Sequence, residues 1–143
     1  MPAKTTARFG TVMLIDDNEI DNLINQKMLE AAGICDVIIT HTGAKSALEF
    51  LKNVEKLSPK AGNDILPQLI FLDIDMPIMD GFQFLEEYDK MSETVRDYCK
   101  IIMLTSSINP QDLARSKKSR YVSKYINKPL TQESIEKITK SDF

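Results

Sequence analysis

The chain has few of the residues that build a disulfide framework or a histidine-rich site. It contains two cysteines, Cys35 and Cys99, and one histidine, His41, among its 143 residues. Two cysteines are too few for a disulfide framework, so we expect both to be reduced thiols. A single histidine gives little support for a metal site or a phosphoryl carrier, and we expect His41 to be a surface loop residue.

Long apolar runs and an excess of positive charge are also missing. No run approaches the roughly 18 apolar residues that span a bilayer, and the first one ends at Asp16. A net charge of −3 and a pI near 5.2 give no general attraction to nucleic acid or to anionic membranes. A hydrophobic content of 43% is enough to fill one core. We therefore expect a soluble, cytoplasmic chain that forms one domain over residues 1–143.

Short apolar runs alternate with helical patterns along the chain. The runs at residues 12–15, 37–39, 69–72, 101–104 and 121–126 predict strands. Continuous apolar strands are typical of parallel sheets that are covered on both faces. Apolar residues between them recur at helical spacing, as at Ile20, Leu23, Ile24, Met28 and Ala31, whereas residues 92–100 fit a short helical turn at most. Strand–helix units repeated five times predict an α/β fold, a doubly wound five-stranded parallel sheet with five helices.

Polar residues follow four of the predicted strands where each strand ends. They are Asp16 and Asp17 after the first strand, Asp73 after the third, Thr105 and Ser106 after the fourth, and Lys128 after the fifth. Ligands of open parallel sheets bind outside these carboxyl ends. Converging carboxylates raise one another's pKa values unless a cation joins them, and Mg²⁺ prefers oxygen ligands. Together with a hydroxyl donor and a lysine, the acids predict a magnesium-dependent phosphoryl site.

Residues 71–81 carry a more specific pattern, Asp-x-x-Met-Pro-x-Met-Asp-Gly, which begins at Asp73. Together with the Asp16–Asp17 pair, Thr105 after an apolar strand and Lys128–Pro129, it gives a clear resemblance. The chain resembles the receiver domain of two-component response regulators from about residue 11 to residue 140. The resemblance implies a flavodoxin-like fold and a stand-alone signalling switch. It implies no enzyme activity apart from Mg²⁺-dependent self-phosphorylation and autodephosphorylation.

The resemblance also implies a role for each residue of the site. Asp73 would be the phosphoacceptor, taking a phosphoryl group from a histidine kinase or a histidine phosphotransfer protein. Asp17 and Asp73 would bind Mg²⁺ directly and Asp16 mainly through water, and the backbone carbonyl of Asp75 would complete the protein ligands. Lys128, Thr105 and Ser106 would bind the phosphoryl group. Tyr125 would be the aromatic residue that changes rotamer when Thr105 moves toward the phosphoryl group.

Three positions depart from the family's usual pattern or vary within it. Asp75 and Ser107 occupy positions that can tune the lifetime of the acyl phosphate, and neither residue fixes the direction of its effect. Lys124 stands before the switch aromatic, where the family often has a small residue.

A basic segment precedes the family lysine. Residues 113–128 contain six basic residues and no acidic one, namely Arg115, Lys117, Lys118, Arg120, Lys124 and Lys128. We hypothesise that the part from Arg115 to Lys124 contacts an acidic surface of an output protein. A solvated helix face explains the same pattern equally well. Since no DNA-binding or enzymatic segment follows residue 140, we expect output through protein contacts or onward phosphotransfer, without direct contact to nucleic acid.

Two other functions compete with the signalling switch. Asp73 and Asp75 also resemble the Asp-x-Asp motif of haloacid-dehalogenase-type phosphatases, in which the first acid is the nucleophile. That family usually places the motif on its first strand and follows it with Gly-Thr, whereas Met76-Pro77 follows here, on the third strand. A receiver that has lost signalling is the third interpretation, and the intact set of acids, Thr105 and Lys128 argues against it.

Overall fold

The computed structural model describes residues 7–57 and 65–141 of the chain. Residues 1–6, 58–64 and 142–143 lie outside the described residues, so the domain limits of 1–143 remain a prediction. Within the described ranges, no helix combines the length and apolarity needed to cross a bilayer.

Five parallel strands form one sheet at the centre of the domain. They are β1 (Phe9–Ile15), β2 (Cys35–His41), β3 (Leu69–Leu72), β4 (Lys100–Thr105) and β5 (Val122–Asn127). Their order across the sheet is β2-β1-β3-β4-β5, and each neighbouring pair is parallel. The predicted doubly wound sheet is confirmed. Because the winding reverses between β1 and β3, a crevice opens at the carboxyl ends of these two strands.

Six helices accompany the sheet in the described ranges, one more than the sequence predicts. They are α1 (Glu19–Ala32), α2 (Ala44–Leu57), α3 (Gly81–Tyr88), α4 (Glu93–Tyr98), α5 (Pro110–Lys118) and α6 (Gln132–Thr139). The additional helix is α4, which is six residues long and buries only Val95. The Ser92 hydroxyl caps it by accepting the Val95 N–H at 3.4 Å. The prediction of five helices was wrong because one apolar position gives no periodic signal.

The three central strands, β1, β3 and β4, are buried on both faces and divide the core into two clusters. Met13 and Ile15 point to one face, where they join the apolar residues of α2 and α3. Val12 and Leu14 point to the other face and pack with α1 and α6. This alternation explains the continuous apolar runs of β1, β3 and β4, since both faces of these strands are covered.

The apolar residues that predict α1 do not form its buried face. Ile20, Leu23 and Ile24 are 69%, 53% and 44% exposed, whereas Asn22 and Asn25 are buried. Asn22 Nδ2 donates to the backbone carbonyl of Asp16 at 3.0 Å, and Asn25 Oδ1 accepts the backbone N–H of Leu130 at 2.9 Å. Buried backbone groups need hydrogen bonds, so the first two turns of α1 point their asparagines inward and expose Ile20, Leu23 and Ile24, whereas Leu29 further along the helix is buried.

Gly81 allows a close approach that a side chain would prevent. A Cβ at this position would lie 2.5 Å from the backbone oxygen of Asp73 and 3.0 Å from Ile74 Cα. We expect Gly81→Ala to lower the free energy of unfolding by about 1–3 kcal/mol, since the backbone at Asp73 must shift. Gly10→Ala is the control, because its Cβ would meet nothing nearer than 3.5 Å. Urea denaturation measures both, and equal stabilities for the two variants would contradict the close approach.

Candidate functional site

Three aspartates meet at the crevice between β1 and β3. Asp16 and Asp17 follow Ile15, the last residue of β1, and Asp73 follows Leu72, the last residue of β3. Ile15 and Leu72 are paired across the two parallel strands. One carboxylate oxygen from each aspartate lies within 4.8 Å of the others. Asp16 and Asp73 are buried, whereas Asp17 is exposed. The register of two neighbouring strands therefore brings together the three acids that the sequence predicts to be close.

Asp73 lies in an environment that disfavours its charged form. Burial and the nearby charge of Asp16 raise its pKa from 3.8 to about 6, although Lys128 and a hydrogen bond from Thr105 partly oppose the rise. Its Oδ1 is buried and has no hydrogen-bond partner among the described residues, with Lys128 Nζ 3.7 Å away. An unpartnered buried carboxylate oxygen beside other carboxylates fits a bound cation, and the all-oxygen donor set suits a hard divalent ion.

Lys128 supplies positive charge to this set of acids. Its Nζ lies 2.8 Å from Asp16 Oδ2 and 3.7 Å from Asp73 Oδ1, and its side chain is 11% exposed. Its backbone N–H donates to the Thr105 carbonyl at 2.9 Å, which extends the pairing of β4 and β5. Burial disfavours the charged lysine, but hydrogen bonds to Asp16 and Asp21 outweigh burial and raise the pKa of Lys128 above its ordinary value.

Asp21 is a site residue that the sequence reasoning missed. It lies in the first turn of α1, and its Oδ2 is 2.8 Å from Lys128 Nζ. The two residues are 107 positions apart in the chain. An acid in the first turn of a helix has an ordinary role beside the helix dipole, so its type and position alone do not indicate a lysine partner.

The hydroxyl residues after β4 take different positions. Thr105 is fully buried, and its Oγ1 accepts the Ser107 N–H at 3.2 Å. Ser106 is exposed and lies with Asp21 and Lys128 on a small surface cleft. The Ser107 hydroxyl donates to Asp112 Oδ2 at 2.6 Å, so it is held by α5.

Tyr125 is half-buried, and its hydroxyl is fixed beside the same loop. It donates to the Ser107 carbonyl at 3.0 Å. The side-chain amide of Asn127, a second residue that the sequence reasoning missed, donates to the same carbonyl at 3.0 Å. Residues from β5 therefore hold the loop that follows Thr105.

The loop between β3 and α3 carries Asp75 and a strained turn. The Asp75 side chain is exposed, and its carboxylate is not part of the acid set found among the described residues. Ile78 has φ of 70° and is 88% exposed, and the Met79 N–H donates to the Pro77 carbonyl at 2.7 Å. This arrangement is a γ-turn with positive φ at a β-branched residue, a conformation that costs about 1–3 kcal/mol.

The remaining sequence candidates lie apart from the acids. His41 is the half-buried last residue of β2 rather than a loop residue, and its Nδ1 lies 3.0 Å from Ser46 Oγ. Cys35 and Cys99 are free thiols. The basic residues from Arg115 to Arg120 are exposed at the end of α5 and beyond it, and the Arg115 guanidinium packs 4.1 Å from the centre of the Phe82 ring.

The sheet order and the acid set together define a class, the doubly wound α/β proteins that bind charged ligands at the carboxyl edge of the sheet. The family profile described as "Response regulator receiver domain" matches residues 12–140. The chain therefore belongs to the response regulator receiver domain family.

Individual relatives share this family. The chain is 32% identical over 129 residues to the sensor histidine kinase CheAY of Helicobacter pylori, covering 90% of this chain but only 14% of that kinase. A two-component response regulator from Cytophaga hutchinsonii has the same fold, with a TM-score of 0.80, 24% identity and coverage of 92% and 94% of the two chains. The Mn²⁺-bound form of response regulator Rcp1 gives a TM-score of 0.66, 26% identity and coverage of 90% and 88%; Rcp1 is a Synechocystis protein.

The raised pKa of Asp73 predicts a pH-dependent stability difference. Between pH 4 and pH 6 the folded protein holds a proton on Asp73 that the unfolded chain releases, so this group's contribution to stability falls as pH rises toward 6. In metal-free buffer at pH 7.5, we expect Asp73→Asn to raise the free energy of unfolding by about 3 kcal/mol. The stabilisation by Asp73→Asn should decrease as the pH falls to 4, because the wild-type carboxyl is then protonated in the folded protein.

Urea denaturation with EDTA between pH 4 and pH 7.5 measures this difference. Asp75→Asn removes an exposed acid two residues away and should give no comparable pH-dependent gain. A stabilisation by Asp73→Asn that is the same at all pH values would contradict the raised pKa.

Proposed function

We propose that Asp73 accepts a phosphoryl group from a phosphohistidine and that the protein is a phosphorylation-controlled signalling switch. The observation that carries the proposal is the buried Asp73 carboxylate, with an unpartnered Oδ1 next to two further acids and 3.7 Å from Lys128 Nζ. Membership in the receiver family supports it. The donor would be a histidine kinase or a histidine phosphotransfer protein, and we propose that the transfer takes place in the cytoplasm.

The transfer requires a nucleophile and groups that stabilise negative charge on the phosphoryl oxygens. A carboxylate oxygen of Asp73 attacks phosphorus, a P–O bond forms and the P–N bond of the donor breaks. The imidazole nitrogen keeps the electron pair and takes up a proton. Lys128 would pair with a phosphoryl oxygen, and the Thr105 and Ser106 hydroxyls would donate to others.

Magnesium is the cation that we propose for the acid set. Asp17 and Asp73 would be its direct ligands, Asp16 would act mainly through water, and the Asp75 backbone carbonyl would complete the protein's share. Bound Mg²⁺ would offset negative charge on the transferring oxygens. Support comes from the three close carboxylates and from the Mn²⁺-bound form of the relative Rcp1.

We propose that a protein donor docks on the apolar rim, which we define as the exposed side chains of Ile20, Leu23, Ile24, Ile78 and Ile108. These residues are between 44% and 90% exposed. All of them follow β1, β3 or β4, so they lie at the edge that carries Asp73. Exposed apolar side chains grouped around a site favour contact with another protein.

The phosphatase interpretation lacks a specific observation in its favour. It needs the second acid of the motif as an acid/base next to the nucleophile. The Asp75 side chain is exposed and outside the acid set of the described residues. The phosphatase interpretation also leaves the close approach of Asp16 and Asp17 to Asp73 unexplained.

Labelling with a small phosphodonor tests the proposed acceptor. With Mg²⁺ and acetyl phosphate we expect near-stoichiometric, acid-stable and base-labile labelling, which EDTA abolishes and which is absent from Asp73→Asn. Asp75→Asn is the matched control and should still be labelled, because its exposed carboxylate is not the nucleophile. Intact-mass spectrometry gives the stoichiometry. Labelling that survives Asp73→Asn would refute the acceptor, and rapid turnover of many phosphate esters would favour a phosphatase.

The basic segment from Arg115 to Lys124 is our proposed contact for an acidic output protein. Its arginine and lysine side chains are exposed except for the half-buried Lys124, and α5 buries only Ser116. Thr105 and Tyr125 would change the position of this face, since both contact the loop that leads into α5.

Charge reversal tests this output face. The triple change of Arg115, Lys117 and Lys118 to glutamate should remove partners that cross-link to the wild type in cells and should flatten the salt dependence of their binding. Reversing Lys45, Lys52 and Lys56 on α2 changes the net charge equally and serves as the control. An unchanged set of partners in the α5 variant would reject the hypothesis.

A further inference from the structure

Lys128 is shared between the strand-end acids and an acid on α1. Its Nζ lies 2.8 Å from Asp21 Oδ2, as close as it lies to Asp16 Oδ2, whereas Asp73 Oδ1 is 3.7 Å away. A lysine ammonium has three N–H donors. Two of them are directed to Asp16 and Asp21, and this leaves one for the Asp73 side of the site.

Hydrogen bonds fix the position of the backbone around Asp21. Asn18 caps α1, and its Oδ1 accepts the Asp21 N–H at 3.1 Å. Asn22, the next residue, donates to the Asp16 carbonyl at 3.0 Å, and Asn25 accepts the Leu130 N–H at 2.9 Å. The first turns of α1 are therefore fixed both to the end of β1 and to the segment that follows Lys128.

Asp21 differs from Asp16 in what it can do when the site is loaded. Asp16 belongs to the set of three close carboxylates, so a cation there would share its negative charge. Asp21 is outside that set and is one-third exposed, so it keeps its full charge for Lys128. A phosphoryl group on Asp73 adds roughly −1.5 to −2 charge and attracts the same ammonium group.

We propose that Asp21 is a positioning residue that competes with the phosphoryl group for Lys128. The inference rests on the proposed function, since it concerns the state in which Asp73 is phosphorylated. Asp21 holds Lys128 toward α1 in the unphosphorylated protein, and phosphorylation draws the ammonium away from α1. Asp21 thereby weakens the binding of a phosphoryl group and releases its own contact when the site is occupied.

Three variants separate this competition from a general effect of charge. Asp21→Asn keeps the shape of the side chain but removes its charge. Asp21→Glu restores a carboxylate that can reach Lys128. Glu19→Gln removes an exposed acid from the same helical turn and serves as the matched control.

The first measurement is the affinity for trifluoroberyllate, a mimic of a phosphoryl group on a carboxylate, at saturating Mg²⁺. We expect Asp21→Asn to bind it about 2- to 5-fold more tightly, because an ion pair of this exposure contributes about that factor. Asp21→Glu should stay near the wild type, and Glu19→Gln should be unchanged. Equal effects of Asp21→Asn and Glu19→Gln, or weaker binding by Asp21→Asn, would overturn the proposal; weaker binding would mean that Asp21 orients Lys128 productively.

The second measurement needs no metal. In EDTA, Asp21→Asn should lower Tm by about 3 °C when Lys128 is present, and it should not lower Tm in a Lys128→Met background. Equal shifts in both backgrounds would show that the two side chains are not coupled and would overturn the inference.

Acetyl phosphate labelling of the wild type distinguishes failure of the proposed function from failure of this inference. Absent labelling refutes Asp73 as the phosphoacceptor. Normal labelling with no effect of Asp21→Asn on trifluoroberyllate affinity refutes only the competition.

Discussion

The repulsion among carboxylates at the junction of β1 and β3 is the constraint on which the site depends. The parallel register places Asp73 beside Asp16 and Asp17, and the burial of Asp16 and Asp73 removes the water that would screen their charges. Lys128, which follows the edge strand β5, offsets part of this charge. Burial and the remaining charge of Asp16 still raise the pKa of Asp73, and the excess of negative charge favours binding of a divalent cation.

The sequence was sufficient to predict the sheet and the edge at which the acids meet. Continuous apolar runs identify parallel strands, and the residue after each run must lie at the carboxyl end of its strand. For this reason Asp16, Asp73, Thr105 and Lys128 could be assigned to one edge without a structure. The extra helix α4 was missed, because Val95 is its only buried residue.

Helix faces and side-chain pairs were harder to predict. The periodicity of Ile20 and Ile24 is that of a buried face, but the backbone carbonyl of Asp16 and the N–H of Leu130 need partners, and Asn22 and Asn25 provide them. The apolar face of α1 is consequently left at the surface. The contact of Asp21 with Lys128 depends on this same rotation of α1 about its axis, which the local sequence pattern does not predict.

The loop after β4 connects the acid site to the proposed output face through one short segment. Thr105 Oγ1 accepts the Ser107 N–H, while Tyr125 and Asn127 both donate to the Ser107 carbonyl. The Ser107 hydroxyl is bonded to Asp112 of α5. A hydroxyl that leaves the Ser107 N–H for a phosphoryl oxygen would therefore disturb a residue bonded to both β5 and α5. Since Lys128 also joins Asp21 of α1 to the acids, a charge added at Asp73 would act on two helices, on α5 through the loop and on α1 through the lysine.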